Sequence, residues 1–195
     1  MLPYKAKLPI HDAVLDTGSV NGEHFAIMAG AGFDARLIAG ADGKLKRRAG
    51  RAAYLYAGLR SLAARPVQAA VTVDGEPFFT GRLSCVLAAN VGRILGGIPA
   101  FPDARPDDGR LDLAVVSARN AAQWARTLTR MTLGQAGRSP FAELTTGRRA
   151  EVQLEEPLPI ELDGGARPPV KYLSLEVHPG ALTVCVPGPA AGPPG

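Results

Sequence analysis

Residues 12–30 read DAVLDTGSVNGEHFAIMAG, and their reading decides the fold class. Two apolar-rich runs flank Asn21-Gly22, a dipeptide whose residues both tolerate positive φ and which marks a tight β-hairpin. Gly30 and Gly32 then interrupt the second run. In AGAGFDA (residues 29–35) only these two glycines fit a dinucleotide fingerprint, and neither the third glycine nor a βαβ unit follows. They are read instead as places where another backbone approaches a strand end closely.

The same grammar recurs along the chain. Residues 67–90 place two β-rich runs around Asp74-Gly75, again a hairpin dipeptide. Beyond residue 147 come four more runs: RRAEVQLEE, LPIELDGG, YLSLEVHPG and ALTVCVP. Two segments have helical period instead. Residues 50–65 set Tyr54, Leu55, Leu59 and Leu62 on one face before Pro66, and residues 120–134 do the same with Trp124, Leu128 and Met131. Strands and helices do not alternate regularly, so a doubly wound parallel sheet is not expected. The expected architecture is mainly β: an antiparallel β-sandwich with two peripheral helices, one domain over residues 1–187, and a disordered Pro/Gly tail at 188–195.

With 195 residues, 46% hydrophobic and 21% charged, the chain has ordinary globular proportions. No apolar run is long enough to cross a bilayer, and Met1 is not followed by a signal-type apolar segment, so the expected compartment is the cytoplasm. Cys85 and Cys185 lie in apolar runs and are expected to be buried free thiols. The formal charge of +4 is unevenly spread, with Lys44, Lys46, Arg47, Arg48 and Arg51 close together. A solvated loop explains such a cluster, and so do phosphate binding or attraction to an anionic membrane. Nucleic acid is not an expected partner, because the cluster has no interleaved aromatics and only 6% of the chain is aromatic.

Candidate chemistry is sparse. GADGK (residues 40–44) lacks the length and ending of a P-loop, the three histidines have no ligand spacing, and no serine has a nucleophile-elbow context. The long Gly- and Pro-rich stretch 90–109 has no periodicity and is read as a loop of functional length. At its end, PDDGRLD offers Asp107, Asp108 and main-chain carbonyls, hard oxygens of the kind Mg²⁺ and Ca²⁺ select. It does not match the twelve-residue EF-hand loop, and on spacing alone a plain turn is the better reading.

In order, these segments resemble the bacterial diacylglycerol kinase-like lipid kinases, kin to sphingosine and ceramide kinases and to NAD kinase. The resemblance rests on residues 14–35, 46–59, 88–113, the IELDGG run and VHPGALTVCVP. It covers the C-terminal β-rich domain only; the GGDGT-type loop of the family's nucleotide-binding domain is not in this sequence. The resemblance implies an ATP- and Mg²⁺-dependent kinase acting on diacylglycerol or a similar lipid, peripheral at the inner membrane face. Activity would need a complementing N-terminal domain, and a homodimer is a further possible assembly.

By position, the resemblance implies a structural Mg²⁺ held by Asp108 and the carbonyls of Arg105 and Arg110. It implies Arg47 and Arg48 at nucleotide phosphate, and Asp34, Asn90 and Gly92 along the substrate cleft. The family's acid toward the lipid hydroxyl falls on Gly165, which cannot accept a proton; Asp163 is the expected catalytic substitute, with Glu161 as another. Side-chain alternation through PIELDGG puts both on the face opposite Leu162. A different class of reading follows from the same departures: a non-catalytic lipid- or partner-binding domain.

Overall fold

The computed structural model describes residues 10–32, 66–94 and 98–187. The first expected helix, Asp34, Arg47, Arg48 and the tail at 188–195 lie outside the described residues.

The chain forms β1 (Ile10–Val20), β2 (Glu23–Phe25), β3 (Met28–Ala31), β4 (Val67–Val73), β5 (Glu76–Leu83), β6 (Cys85–Ala89), β7 (Arg93–Ile94), β8 (Ile98–Pro99) and β9 (Leu111–Val116). Then follow α1 (Ala121–Thr132), a 3₁₀ turn (Ala136–Arg138), β10 (Ala142–Gly147), β11 (Arg149–Leu162) and β12 (Gly165–Pro187). Every pairing is antiparallel. Ten strands form one sheet with the path β10-β9-β6-β3-β11-β12-β1-β2, and β11 also pairs with β4, which pairs with β5.

The sheet forks at β11. Ala150–Leu154 pair with β4, whereas Ile160–Leu162 pair with β3. The register shifts between Gln153 and Leu158, and Pro157 lies in that interval. A proline has no N–H for the ladder, so a break there lets one strand serve two leaves. The leaves close on a shared core: Val67 and Val71 of β4, Ala29 and Ala31 of β3, Val86, Leu113, Val152, Ile160 and Leu173 are all buried together. The mainly antiparallel β architecture matches expectation, and α1 is the second of the two expected peripheral helices.

Two expectations change. The four C-terminal runs are two long strands, because Pro168-Pro169 and Pro179-Gly180 produce register shifts inside β12 rather than ending it. The long loop also has structure of its own: Arg93 pairs with Pro99 and Ile94 with Ile98.

The hairpin dipeptides behave as read. Asn21 and Gly22 have φ of 50° and 85°, and Asp74 and Gly75 have 51° and 87°. A third tight turn, Asp163-Gly164 (48° and 86°), joins β11 to β12. Gly30 and Gly32 do admit a neighbouring backbone: a Cβ at either would run into main-chain atoms of the 84–86 segment.

A second core lies on the other face of β3, β6 and β9, where Leu87, Ala114 and Val116 pack with Trp124 and Met131 of α1 and with Phe101. The helix is well started. Asn120 Oδ1 accepts the Gln123 N–H (3.0 Å), and Gln123 Oε1 accepts the Arg119 N–H (2.7 Å), a reciprocal cap. Cys85 is fully buried and burial drives its thiol pKa upward, as expected of an inert core thiol. Cys185 corrects the expectation: it is exposed on β12, paired with Asp12 of β1, with its Sγ 3.4 Å from Asp12 Oδ1.

Candidate functional site

Asp16 is the residue that sequence reading missed. It is an acid in an apolar strand, and the register explains why: Leu15 pairs with Leu182 and Thr17 with His178, so Asp16 alone faces the bulged Pro179–Ala181. It is buried, yet both carboxylate oxygens are satisfied. Oδ1 accepts the Gly180 N–H (2.8 Å) and Oδ2 the Gly109 N–H (2.7 Å). Its backbone N–H donates to the Pro106 carbonyl at 2.7 Å. One side chain therefore fixes the PDDG loop to β1 and β12. The available signal was the charge itself, since a carboxylate between Leu15 and Thr17 needs donors if it is buried.

Asn90 joins the same knot. Its Nδ2 donates to the carbonyls of Asp16 (2.7 Å) and Ala26 (3.2 Å), and its N–H to that of Ile27 (3.0 Å). Its Oδ1 is buried with no hydrogen-bond partner. Gly92 is half-buried and lets the Phe101 carbonyl approach, while the Phe101 N–H donates to the Gly92 carbonyl (3.1 Å). Asn90, Gly92 and the PDDG loop are thus brought to one end of β6 and β9.

Within the loop, Asp108 Oδ1 accepts the Arg110 N–H at 3.0 Å. Asp112 opens β9 as a half-buried acid whose pKa is pushed up to about 6, by burial first and then by the carboxylates of Asp108 and Asp103. The segment sets Asp103, Asp107, Asp108 and Asp112 beside Arg105 and Arg110. Among the described residues no trio of His, Cys, Asp or Glu forms a ready side-chain cage. A hard cation fits this donor set only if one carboxylate and main-chain carbonyls are completed by water, an arrangement natural to Mg²⁺.

Asp163 sits elsewhere, at the β11–β12 turn. Its carboxylate accepts three backbone N–H groups, from Ala26 (2.7 Å), Ile27 (2.9 Å) and Met28 (3.0 Å). Its own N–H donates to the Met28 carbonyl at 2.9 Å. The 26–28 crossing is therefore clamped between Asn90 and Asp163. Alternation breaks at the turn, so Asp163 is exposed while Glu161 is buried on the face opposite Ile160 and Leu162. A Cβ at Gly165 would lie against the Arg167 guanidinium, which pairs with Glu23 (Nε to Oε1, 2.9 Å). Two of the three scattered histidines also meet: the His24 and His178 ring centroids lie 4.5 Å apart, tilted by 40°, with Ser19 Oγ 2.9 Å from His178 Nε2.

Residues 27–186 match the family described as the YegS C-terminal NAD kinase beta sandwich-like domain. This chain belongs to that family. Among curated proteins, the YegS-type domain is 29% identical to "Diacylglycerol kinase" of Bacillus subtilis (strain 168), over 84% of this chain and 55% of that protein. It is 33% identical to "Probable lipid kinase YegS-like" of Pseudomonas aeruginosa (strain UCBPP-PA14), over 89% and 56%. A solved Bacillus anthracis str. Sterne chain, named as a candidate diacylglycerol kinase, superimposes with a TM-score of 0.66 over 89% of this chain and 56% of that one. At 22% identity that likeness shows the fold alone. The YegS-type domain thus spans about half the length of the curated relatives it matches, 55% in the Bacillus subtilis case.

Proposed function

We propose that this domain is the lipid-facing half of an ATP- and Mg²⁺-dependent lipid kinase that phosphorylates the hydroxyl of diacylglycerol or a similar lipid. The observation that carries this reading is the family match over residues 27–186, joined to relatives named diacylglycerol kinase. The nucleotide is held mostly by a partner half, with Arg47 and Arg48 reaching its phosphates and Asp34, Asn90 and Gly92 lining the lipid side. Phosphoryl transfer depends chiefly on positioning and charge stabilisation. The substrate hydroxyl oxygen bonds to the γ-phosphorus as the ADP oxygen leaves, and the hydroxyl proton must pass to an acceptor.

Mg²⁺ in the PDDG loop would supply fixed positive charge, with Asp108 and the carbonyls of Arg105 and Arg110 as its protein ligands. Asp16 holds that loop against Gly180, so its part is to fix where the ligands stand. Asn90 positions the 26–28 crossing. The described residues contain no helix long and apolar enough to cross a membrane. A cytoplasmic protein that visits an anionic inner membrane face fits the proposal.

A second reading has its own support. Gly165 carries no acid, and Asp163 spends its carboxylate on three backbone N–H groups. Both favour a domain that binds lipid without turning it over. Fusing the chain to the nucleotide-binding half of a relative and supplying labelled ATP and diacylglycerol separates the two. Label in the lipid supports the kinase. A folded fusion that binds diacylglycerol vesicles but transfers no label supports the binding domain instead.

A further inference from the structure

We propose that the outer face of α1 is the surface by which this domain docks on an anionic membrane, a deepening that rests on the lipid-kinase reading above. The stretch from Ser117 to Ala142 holds Arg119, Arg126, Arg130 and Arg138 and no aspartate, glutamate or lysine. A merely solvated helix face ordinarily interleaves both signs of charge. Trp124, Thr127 and Met131 mark the buried side of α1. Arg126 and Leu133, seven residues apart, fall on the opposite side with Arg130 between them. Arg119, Arg126 and Arg138 are exposed and Arg130 half-exposed, and none of the four forms an ion pair among the described residues.

The apolar part of the face is Leu133. At the C-terminal cap of α1 and 66% exposed, it is the most exposed large apolar side chain among the described residues, and it contributes nothing to the core. Neighbouring acids do not neutralise the stripe. Glu143 of β10 alternates with Ala142 and Leu144, which pack in the core beneath α1, so it points to the other side of the sheet. Asp112 opens β9, whereas α1 follows that strand's end.

The chemistry selects a phosphate-bearing lipid surface. Guanidinium forks match phosphate oxygens, and their stems lie along apolar material while the charged heads stay at headgroup level. An exposed leucine between them can enter the acyl boundary. A nucleic acid fits less well, because the one aromatic of α1, Trp124, is buried and cannot stack on a base. The position also suits the reading. Phe101 packs with Trp124 and Met131 beneath α1, and its N–H donates to the Gly92 carbonyl (3.1 Å), so α1 stands next to the loop that carries the candidate site.

The test is co-sedimentation of this chain with mixed phosphatidylglycerol–phosphatidylcholine vesicles, beside vesicles of phosphatidylcholine alone. The parent should bind the anionic vesicles and release them as salt rises. Each arginine at such a surface contributes about fivefold, so Arg126→Gln combined with Arg130→Gln should weaken binding about twenty-fold. Leu133→Ser should weaken it about threefold. Glutamine is a good helix former, so the double variant should keep the parent's Tm. A Cys185→Ser, Leu133→Cys protein carrying an environment-sensitive fluorophore should shift to the blue on anionic vesicles. Unchanged vesicle binding by the folded double variant, equal binding of the two vesicle types, or no fluorophore shift overturns the inference. So does tighter binding of the same arginines to a duplex oligonucleotide than to the vesicles. A folded parent that binds neither vesicle overturns it as well. The kinase reading is judged separately, by label transfer from the fused protein to a short-chain diacylglycerol in neutral micelles, where no anionic surface is needed.

Discussion

Replacing Asp16 by asparagine turns one of its two acceptor oxygens into an N–H donor. That amide must then face either Gly109 or Gly180, each of which already presents an N–H. A buried donor without an acceptor costs about 1–3 kcal/mol. Asp16→Asn should therefore lower unfolding free energy by about 2 kcal/mol in urea titration, and it should lose most of the stabilisation that Mg²⁺ gives the parent. Asp112 predicts a pH effect. Its folded pKa is about 6 against an ordinary 3.8, so the native state holds a proton that the unfolded state has released between those values. Stability should fall as pH rises from about 4 to 6 and then level off. The sign follows from the raised pKa of an acid: the folded form is favoured when protonated. Asp112→Asn should flatten that slope in Tm measured against pH, and Mg²⁺ should oppose it in the parent alone.

At the scale of elements, prolines and short turns decide where strands divide. The Asn21-Gly22 and Asp74-Gly75 hairpins and the 120–134 helix were legible because each rests on a local rule: positive φ in the first two, a 3.6-residue apolar period in the last. The length of β11 and β12 was not legible. Pro157, Pro168-Pro169 and Pro179 look like strand ends, but each marks a register shift that the flanking pairs carry across. The knot at Asp16 was hidden for a related reason, since its donors come from residues 93 and 164 positions away. Asp163-Gly164 was readable as a turn, but its hold on the 26–28 crossing was not. Asp163→Ala removes the acceptor of three N–H groups at once. It should cost about 1–2 kcal/mol, discounted for the exposure of the site. Amide exchange should quicken at Ala26, Ile27 and Met28, with the β4–β5 hairpin unaffected.

For the whole molecule, the forked sheet explains how one domain presents a polar corner on a closed apolar core. β11 holds both leaves, and the loops that leave β6 and enter β9 meet β1 and β12 at Asp16. The backbone at that corner is fixed by buried hydrogen bonds, while Asp107 and Asp108 of the loop remain exposed. In the proposed kinase this corner positions a phosphoryl transfer shared with a nucleotide-binding half. The most direct measurement is the rate of γ-phosphate transfer from ATP to diacylglycerol by the fused protein, set beside the same fusion carrying Asp16→Asn. Mg²⁺-dependent lipid phosphate formation is expected from the parent fusion, and at least a tenfold lower rate from the variant while its circular dichroism stays that of a folded protein. Equal rates in the two fusions, or no transfer by a folded parent fusion, would contradict it.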